Sequence, residues 1–260
     1  MNVYLVTDLE GIAGVDSIEF MDRNGESYQK AREMLTRSIA VAVKTCFACG
    51  ANKVWYLDGH GGGGNVYPEK MDARAEKSTI TQWMELLATG EIDCEIELGS
   101  HARAGTVGGF LDHTLNSTKW FSLKVNGVEM SELSMHALVA AKYGVPTVAC
   151  IGDEVATVQA KEYIPDLYTG AVKKAECRNI AVTDENAEAI LVQTIREALA
   201  NYKQVSLYRL PEPLTVELTL NRTDYCEELI PKITGKFERV DARTLRKTVS
   251  ELKSYYDLRF

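Results

Sequence analysis

Met1-Asn2-Val3-Tyr4-Leu5-Val6-Thr7-Asp8-Leu9-Glu10-Gly11 opens the chain. Val3 to Val6 is an unbroken apolar run ended by Thr7-Asp8, the pattern of a strand buried on both faces in a parallel sheet. Two later strands finish in a similar way. Lys53 to Leu57 runs into Asp58-Gly59-His60, and Cys94 to Leu98 runs into Gly99-Ser100-His101. In an open parallel sheet the carboxyl ends of the strands share one edge, and ligands bind there. Asp8, Glu10, His60 and His101 are therefore expected to converge. Asp8 and Glu10 stand two residues apart, so in extended backbone both carboxylates point to one side.

The intervening segments supply the helices. Ser27 to Cys49 places Met34, Ile39, Val41, Ala42 and Cys46 at helical spacing and is closed by Gly50. A helix is expected at Thr81 to Ala88, and Phe121 to Met130 forms a hairpin about Asn126-Gly127. Ser131 to Tyr143 reads as a helix, Pro146 to Ile151 as a strand, and Asp153 to Lys161 and Glu185 to Tyr202 as helices. Such alternation predicts an α/β fold, a mostly parallel sheet with helices on both faces. After Pro211 and Pro213 the texture changes. Strands at Leu214 to Leu220 and Phe237 to Val240 and helices at Thr223 to Ile230 and Ala242 to Tyr256 are expected. The expected organisation is a large α/β domain over 1–205, which carries the converging Asp8, Glu10, His60 and His101, and a small α+β domain over 206–260.

With 260 residues, and roughly 150 per domain as a guide, the chain is long enough for one full core plus an appended lobe. It is 45% apolar and 25% charged, with a net charge of −8 from 29 basic and 37 acidic residues. An acidic surface without a Lys/Arg block argues against nucleic acid or anionic membrane as a partner. No apolar stretch approaches the ~20 residues that span a bilayer, and the opening residues carry no basic leader or cleavage site. The reading places the protein in the cytoplasm. Six scattered cysteines then read as single buried thiols. Cys46 and Cys49 form a C-x-x-C, but inside a helix and with no second pair nearby.

Carboxylates together with imidazoles suit zinc or another borderline divalent ion. A single carboxylate can also bridge two metals about 3.5–4 Å apart, as in aminopeptidases and phosphatases. Other polar features read more plainly. The loop His60-Gly61-Gly62-Gly63-Gly64-Asn65 lacks the Lys-Ser/Thr of a phosphate-binding P-loop. His136 follows Glu132 by four and shares its helix face, but Leu133, Ala137 and Ala140 around it suggest a packed, structural histidine. Arg103, two after His101, is a candidate for a substrate carboxylate, or a partner for a nearby acid.

Taken in order, the motifs resemble a known family. Asp8-Leu9-Glu10-Gly11-Ile12-Ala13-Gly14-Val15, Asp58-Gly59-His60, Ser100-His101-Ala102-Arg103-Ala104, Asp112-His113-Thr114, Val125-Asn126-Gly127-Val128-Glu129-Met130-Ser131-Glu132-Leu133, Gly144-Val145-Pro146 and Gly152-Asp153 follow one another as in the D-aminopeptidase family of bacterial metallopeptidases. The resemblance implies a dinuclear zinc site, with two ions per subunit. Asp8 would bridge them, Glu10 and His60 would complete one site, and His101 and Glu132 the other. His113 would be the catalytic residue that handles a proton beside the metals. It further implies an aminopeptidase acting on short peptides, with a preference for D-residues, and a ring-like homo-oligomer with its active sites facing an internal cavity. Ser131 stands where the family pattern has glycine, and Glu154 where a second aspartate is common. Two rival readings remain at this stage: another two-metal hydrolase acting on phosphoesters or nucleosides, and a non-catalytic relative that binds metal or peptide.

Overall fold

The structure, a computed structural model, describes residues 1–260. Its twelve strands and six α-helices run in the order β1 (Asn2–Thr7), α1 (Glu26–Ala48), β2 (Lys53–Asp58), β3 (Ala75–Ser78), α2 (Ile80–Ala88), β4 (Cys94–Ser100), β5 (Trp120–Val125), β6 (Val128–Glu129), α3 (Glu132–Lys142), β7 (Thr147–Asp153), α4 (Glu154–Tyr163), β8 (Tyr168–Cys177), β9 (Ile180–Thr183), α5 (Ala187–Ala200), β10 (Leu214–Leu220), α6 (Thr223–Leu229), β11 (Glu238–Arg239) and β12 (Thr244–Val249). Seven of the strands form one sheet in the order β3-β2-β1-β4-β7-β8-β9. It is parallel throughout except for the β8–β9 hairpin at its edge. The fold is α/β, as the strand-helix alternation predicts.

Strand order explains where a ligand site can form. From β1 the chain steps outward to β2 and β3, then returns to the other side of β1 at β4. The direction of winding reverses between β1 and β4, and the crevice beyond their carboxyl ends is the position favoured for ligands in open sheets. Right-handed crossovers running in opposite directions also put helices on opposite faces. The packing agrees, with α1 against α5 as one pair and α3 against α4 as another.

The apolar run Val3–Val6 is buried, as a central strand requires, and Tyr4, Leu5, Leu35, Ile39, Ile96 and Trp83 pack in the same core. At the strand ends the backbones approach so closely that side chains are excluded. Gly99 lies at φ +84, and a Cβ there would sit 2.0 Å from the Asp8 carbonyl oxygen. A Cβ on Gly11 would lie 2.2 Å from the Ser100 carbonyl oxygen. Glycine at these two positions lets the ends of β1 and β4 touch, which brings Asp8, Glu10 and His101 into one place.

The second sheet is antiparallel and five-stranded, in the order β11-β12-β10-β5-β6. It takes strands from both sides of the expected 205/206 boundary, because the 120–129 hairpin pairs with β10. One expected helix is replaced by a strand. Thr244–Val249 pairs antiparallel with β10 in register from Leu214↔Val249 to Thr219↔Thr244, where Ala242 to Tyr256 reads as helical in the sequence. Leu245, Val249 and Leu252 do sit at helical spacing, but non-local pairing with β10 decides the conformation, and β-branched Thr244, Thr248 and Val249 suit a pleated surface.

Candidate metal centre

Each residue expected to hold metal arrives at the sheet edge by a separate route. Asp8 and Glu10 follow β1, His60 follows β2 and His101 follows β4. Glu132 is the first residue of α3, delivered by the β5–β6 hairpin. Ser131 caps that helix, accepting from the Ser134 amide at 3.1 Å while its own amide donates to Ser134 Oγ at 2.9 Å. Ser131 thus fixes the helix start from which Glu132 projects.

Asp8 divides its carboxylate between two imidazoles. Oδ1 lies 3.3 Å from His60 Nδ1, and Oδ2 lies 3.3 Å from His101 Nε2. His60 Nδ1 is also 3.0 Å from Glu10 Oε2, and His101 Nε2 is 3.4 Å from Glu132 Oε1. Ligand atoms about 2.0–2.1 Å from zinc on the corners of a tetrahedron stand ~3.3 Å apart. The donor spacings match such edges. The donors fall into two groups, Asp8 with Glu10 and His60, and His101 with Glu132 and His113, each with its ligand atoms within 4.8 Å of one another.

The histidine tautomers are set for ligation. His101 Nδ1 lies 3.0 Å from the Ala102 carbonyl and His113 Nδ1 lies 2.8 Å from the Leu111 carbonyl. Donation to those carbonyls leaves each Nε2 as the lone-pair nitrogen facing the cleft. His101 Nε2 is buried and has no hydrogen-bond partner, an orphan that a cation would satisfy.

Electrostatics point the same way. Burial opposes charge on His60, but hydrogen bonds to Asp8 and Glu10 outweigh it and push the imidazole up to about 11. His101 is raised as well, with burial overcome by Asp8 and Glu132. Burial works against ionised Glu10 and Glu132, yet His60 holds the first and His101 the second below the usual carboxylate range. Close-packed carboxylates of this kind need positive charge among them, and divalent cations provide it while leaving the imidazoles neutral and free to ligate. The donor set fits zinc.

His113, the third member of the second group, also approaches the first. Its ring stacks on that of His101 at 3.9 Å and 7°, and its Nε2 is 3.8 Å from Glu132 Oε1 and 4.0 Å from Glu10 Oε1. Leu111 and Leu115 on either side adopt φ +48 and +61. Left-handed leucines cost about 1–3 kcal/mol each and gather at functional sites. Here they turn the loop so that His113 enters the cleft and the Leu115 amide donates to Glu132 Oε1 at 2.8 Å.

A cleft of about 640 Å³ opens at these groups, and Glu97, His136 and the glycines of the 61–64 loop also line it. His136 joins neither donor group. Its Nδ1 lies 3.0 Å from Glu97 Oε1 and its ring stacks on Tyr255 at 5.1 Å, the structural role expected of it. Arg103 does not reach the cleft. Its Nη1 is bonded to Glu162 Oε2 at 2.8 Å and to Tyr163 Oη at 3.4 Å, so of its two expected partners the structure shows the nearby acid and not a place in the cleft lining. The cations that do line the cleft are Lys77 and Arg259, neither of which sits in a motif.

Residues 1–259 match the peptidase family model described as D-aminopeptidase. The chain belongs to the D-aminopeptidase family. It is 27% identical over 228 residues to the D-aminopeptidase of Bacillus subtilis (strain 168), covering 86% of this chain and 82% of that protein. Its fold matches that of the Zn-dependent D-aminopeptidase DppA from Bacillus subtilis, described as a self-compartmentalizing protease, with a TM-score of 0.91. That alignment covers 99% of this chain and 95% of DppA at 24% identity. Family membership and the acidic, histidine-rich cleft together favour peptide hydrolysis over the phosphoester, nucleoside and non-catalytic readings.

Proposed function

We propose that this member of the D-aminopeptidase family is a zinc aminopeptidase that removes N-terminal residues, D-configured ones by preference, from short peptides, with two ions per subunit. The observation that carries the reading is the division of the Asp8 carboxylate, one oxygen 3.3 Å from His60 and the other 3.3 Å from His101. Asp8, Glu10 and His60 would hold one ion, and Asp8, His101 and Glu132 the other. Zinc bound there supplies Lewis acidity toward a peptide carbonyl and lowers the pKa of water from 15.7 toward about 7.

The chain's own groups do the rest. His113 faces the cleft through Nε2 and is placed to hold a proton there and pass it to the leaving amine. Its ring cannot swing freely, because it is stacked on His101 and its Nδ1 is tied to the Leu111 carbonyl. Asp58 keeps the opposite wall open. Its carboxylate accepts from the Asn65 amide and Asn65 Nδ2 at 2.7 Å each and from the Val66 amide at 3.2 Å, which holds the glycine loop clear of the donors. Lys173 Nζ donates to the Glu10 carbonyl at 2.9 Å and to the Val15 carbonyl, pinning the loop that carries Glu10.

We infer further that the subunits assemble into a ring-like homo-oligomer and that the protein works in the cytoplasm. The self-compartmentalizing relative supports the first inference, and six cysteines held as free thiols support the second. No helix is long and apolar enough to cross a membrane.

The direct test of activity is a side-by-side assay of zinc-loaded protein on D-Ala-D-Ala, L-Ala-L-Ala and p-nitrophenyl phosphate. Release of D-alanine from the D-dipeptide is expected to dominate. Turnover of the phosphate ester alone would overturn peptidase action.

A further inference from the structure

Lys77 and Arg259 are the two strongly basic side chains in a cleft that is otherwise acidic and polar. Both line the same cleft. Lys77 lies near the end of β3, opposite Tyr56 of β2, just before α2. Arg259 follows the 3-10 turn Tyr255–Leu258, whose Tyr255 packs against Trp83 of α2 at 6.1 Å and on His136 of α3 at 5.1 Å. The Arg259 backbone is fixed, its amide donating to the Tyr256 carbonyl at 3.2 Å and its carbonyl accepting from Lys247 Nζ.

Arg259 is not consumed by the fold, and Lys77 is held only by a long ion pair. Arg259 has no carboxylate within ion-pair distance, and its guanidinium stands 5.9 Å from the centre of the Tyr255 ring. Lys77 Nζ pairs with Asp58 Oδ2 at 3.8 Å, too long for a hydrogen bond, and that carboxylate also accepts from three N–H groups of Asn65 and Val66. Both side chains are exposed to the cleft. An unpaired guanidinium and a loosely paired ammonium in the same cleft as an acidic cluster that takes the amine-bearing end of a substrate suit an anion at its other end.

We propose that Arg259, assisted by Lys77, binds the free C-terminal carboxylate of the substrate, so that the site reads both ends of a peptide of two or three residues. This rests on the aminopeptidase reading above and narrows its substrate class. An extended residue spans about 3.3–3.6 Å, so a dipeptide reaches ~7 Å from amine to carboxylate. The cleft volume of about 640 Å³ lies in the range of small-ligand sites, roughly 300–1,000 Å³. Arg suits the role because its planar fork meets a carboxylate through two parallel hydrogen bonds.

The test uses the zinc-loaded protein and a non-hydrolysable D-Ala-D-Ala analogue with a reduced central amide. The analogue is supplied as the free acid and as its C-terminal amide, and both are titrated calorimetrically against wild type, R259Q and K77Q. Hydrolysis of the parent acid and amide is followed in parallel. Wild type is expected to prefer the acid. In R259Q the acid-to-amide affinity ratio should fall by about 10–100-fold, the worth of a hydrogen-bonded charge, with a smaller fall in K77Q and unchanged melting temperatures. A ratio in R259Q within twofold of wild type would overturn the inference, whatever the hydrolysis rates. If neither parent peptide is cleaved but the acid preference depends on Arg259, the catalytic reading falls and the carboxylate site stands.

Discussion

The Asp8→Ala protein is expected to bind less than one zinc ion per subunit, against two expected for wild type, and to lose nearly all hydrolytic rate. Asp8 is the only carboxylate whose oxygens face both His60 and His101, at 3.3 Å each. Its removal takes a ligand from both groups at once, whereas removal of Glu10 or His60 spares the other group. Loss of a residue that only orients a ligand costs about 10–100-fold in metal affinity, so loss of a shared ligand should weaken each site by at least ~100-fold. Metal analysis after gel filtration, alongside a peptide assay, measures both effects. Retention of two ions by Asp8→Ala would remove Asp8 from the bridging position.

His113→Ala should separate metal binding from chemistry. A positioned acid or base contributes about 10²–10⁴-fold, and kcat on D-Ala-D-Ala is expected to fall by that amount while zinc content stays at two. The geometry leaves a sharp alternative. His113 Nε2 lies 3.8 Å from Glu132 and shares a donor group with His101 and Glu132. If zinc content falls to one in His113→Ala, the residue is a ligand rather than a proton carrier.

Much of this site could be read in the sequence because its residues follow strands. Asp8, His60 and His101 come just after runs whose composition marks them as buried strands, and parallel topology puts those ends side by side. That the winding reverses between β1 and β4, exactly where Asp8 meets His101, depends on strand order and is invisible to local pattern. The β3 strand, Ala75–Ser78, is four residues long with two exposed charges, so neither alternation nor an apolar run marks it. No element is expected over 162–184, where β8 and β9 lie.

Arg103 and Arg259 show the limit most plainly. Arg103 lies two residues from His101, but the backbone turns after the histidine and its guanidinium reaches Glu162 on α4. Arg259 is distant in sequence from every donor, and only the docking of Tyr255 on Trp83 and His136 brings it to the cleft. The left-handed conformations of Leu111 and Leu115 have no signature either, since leucine gives no hint of positive φ.

The account depends on paired cations gripped by these side chains, and anomalous scattering at the zinc edge from a zinc-loaded crystal tests that most directly. Two peaks are expected about 3.5–4 Å apart, one among Asp8, Glu10 and His60 and the other among Asp8, His101 and Glu132. A single peak, or two peaks that do not share Asp8, would contradict it.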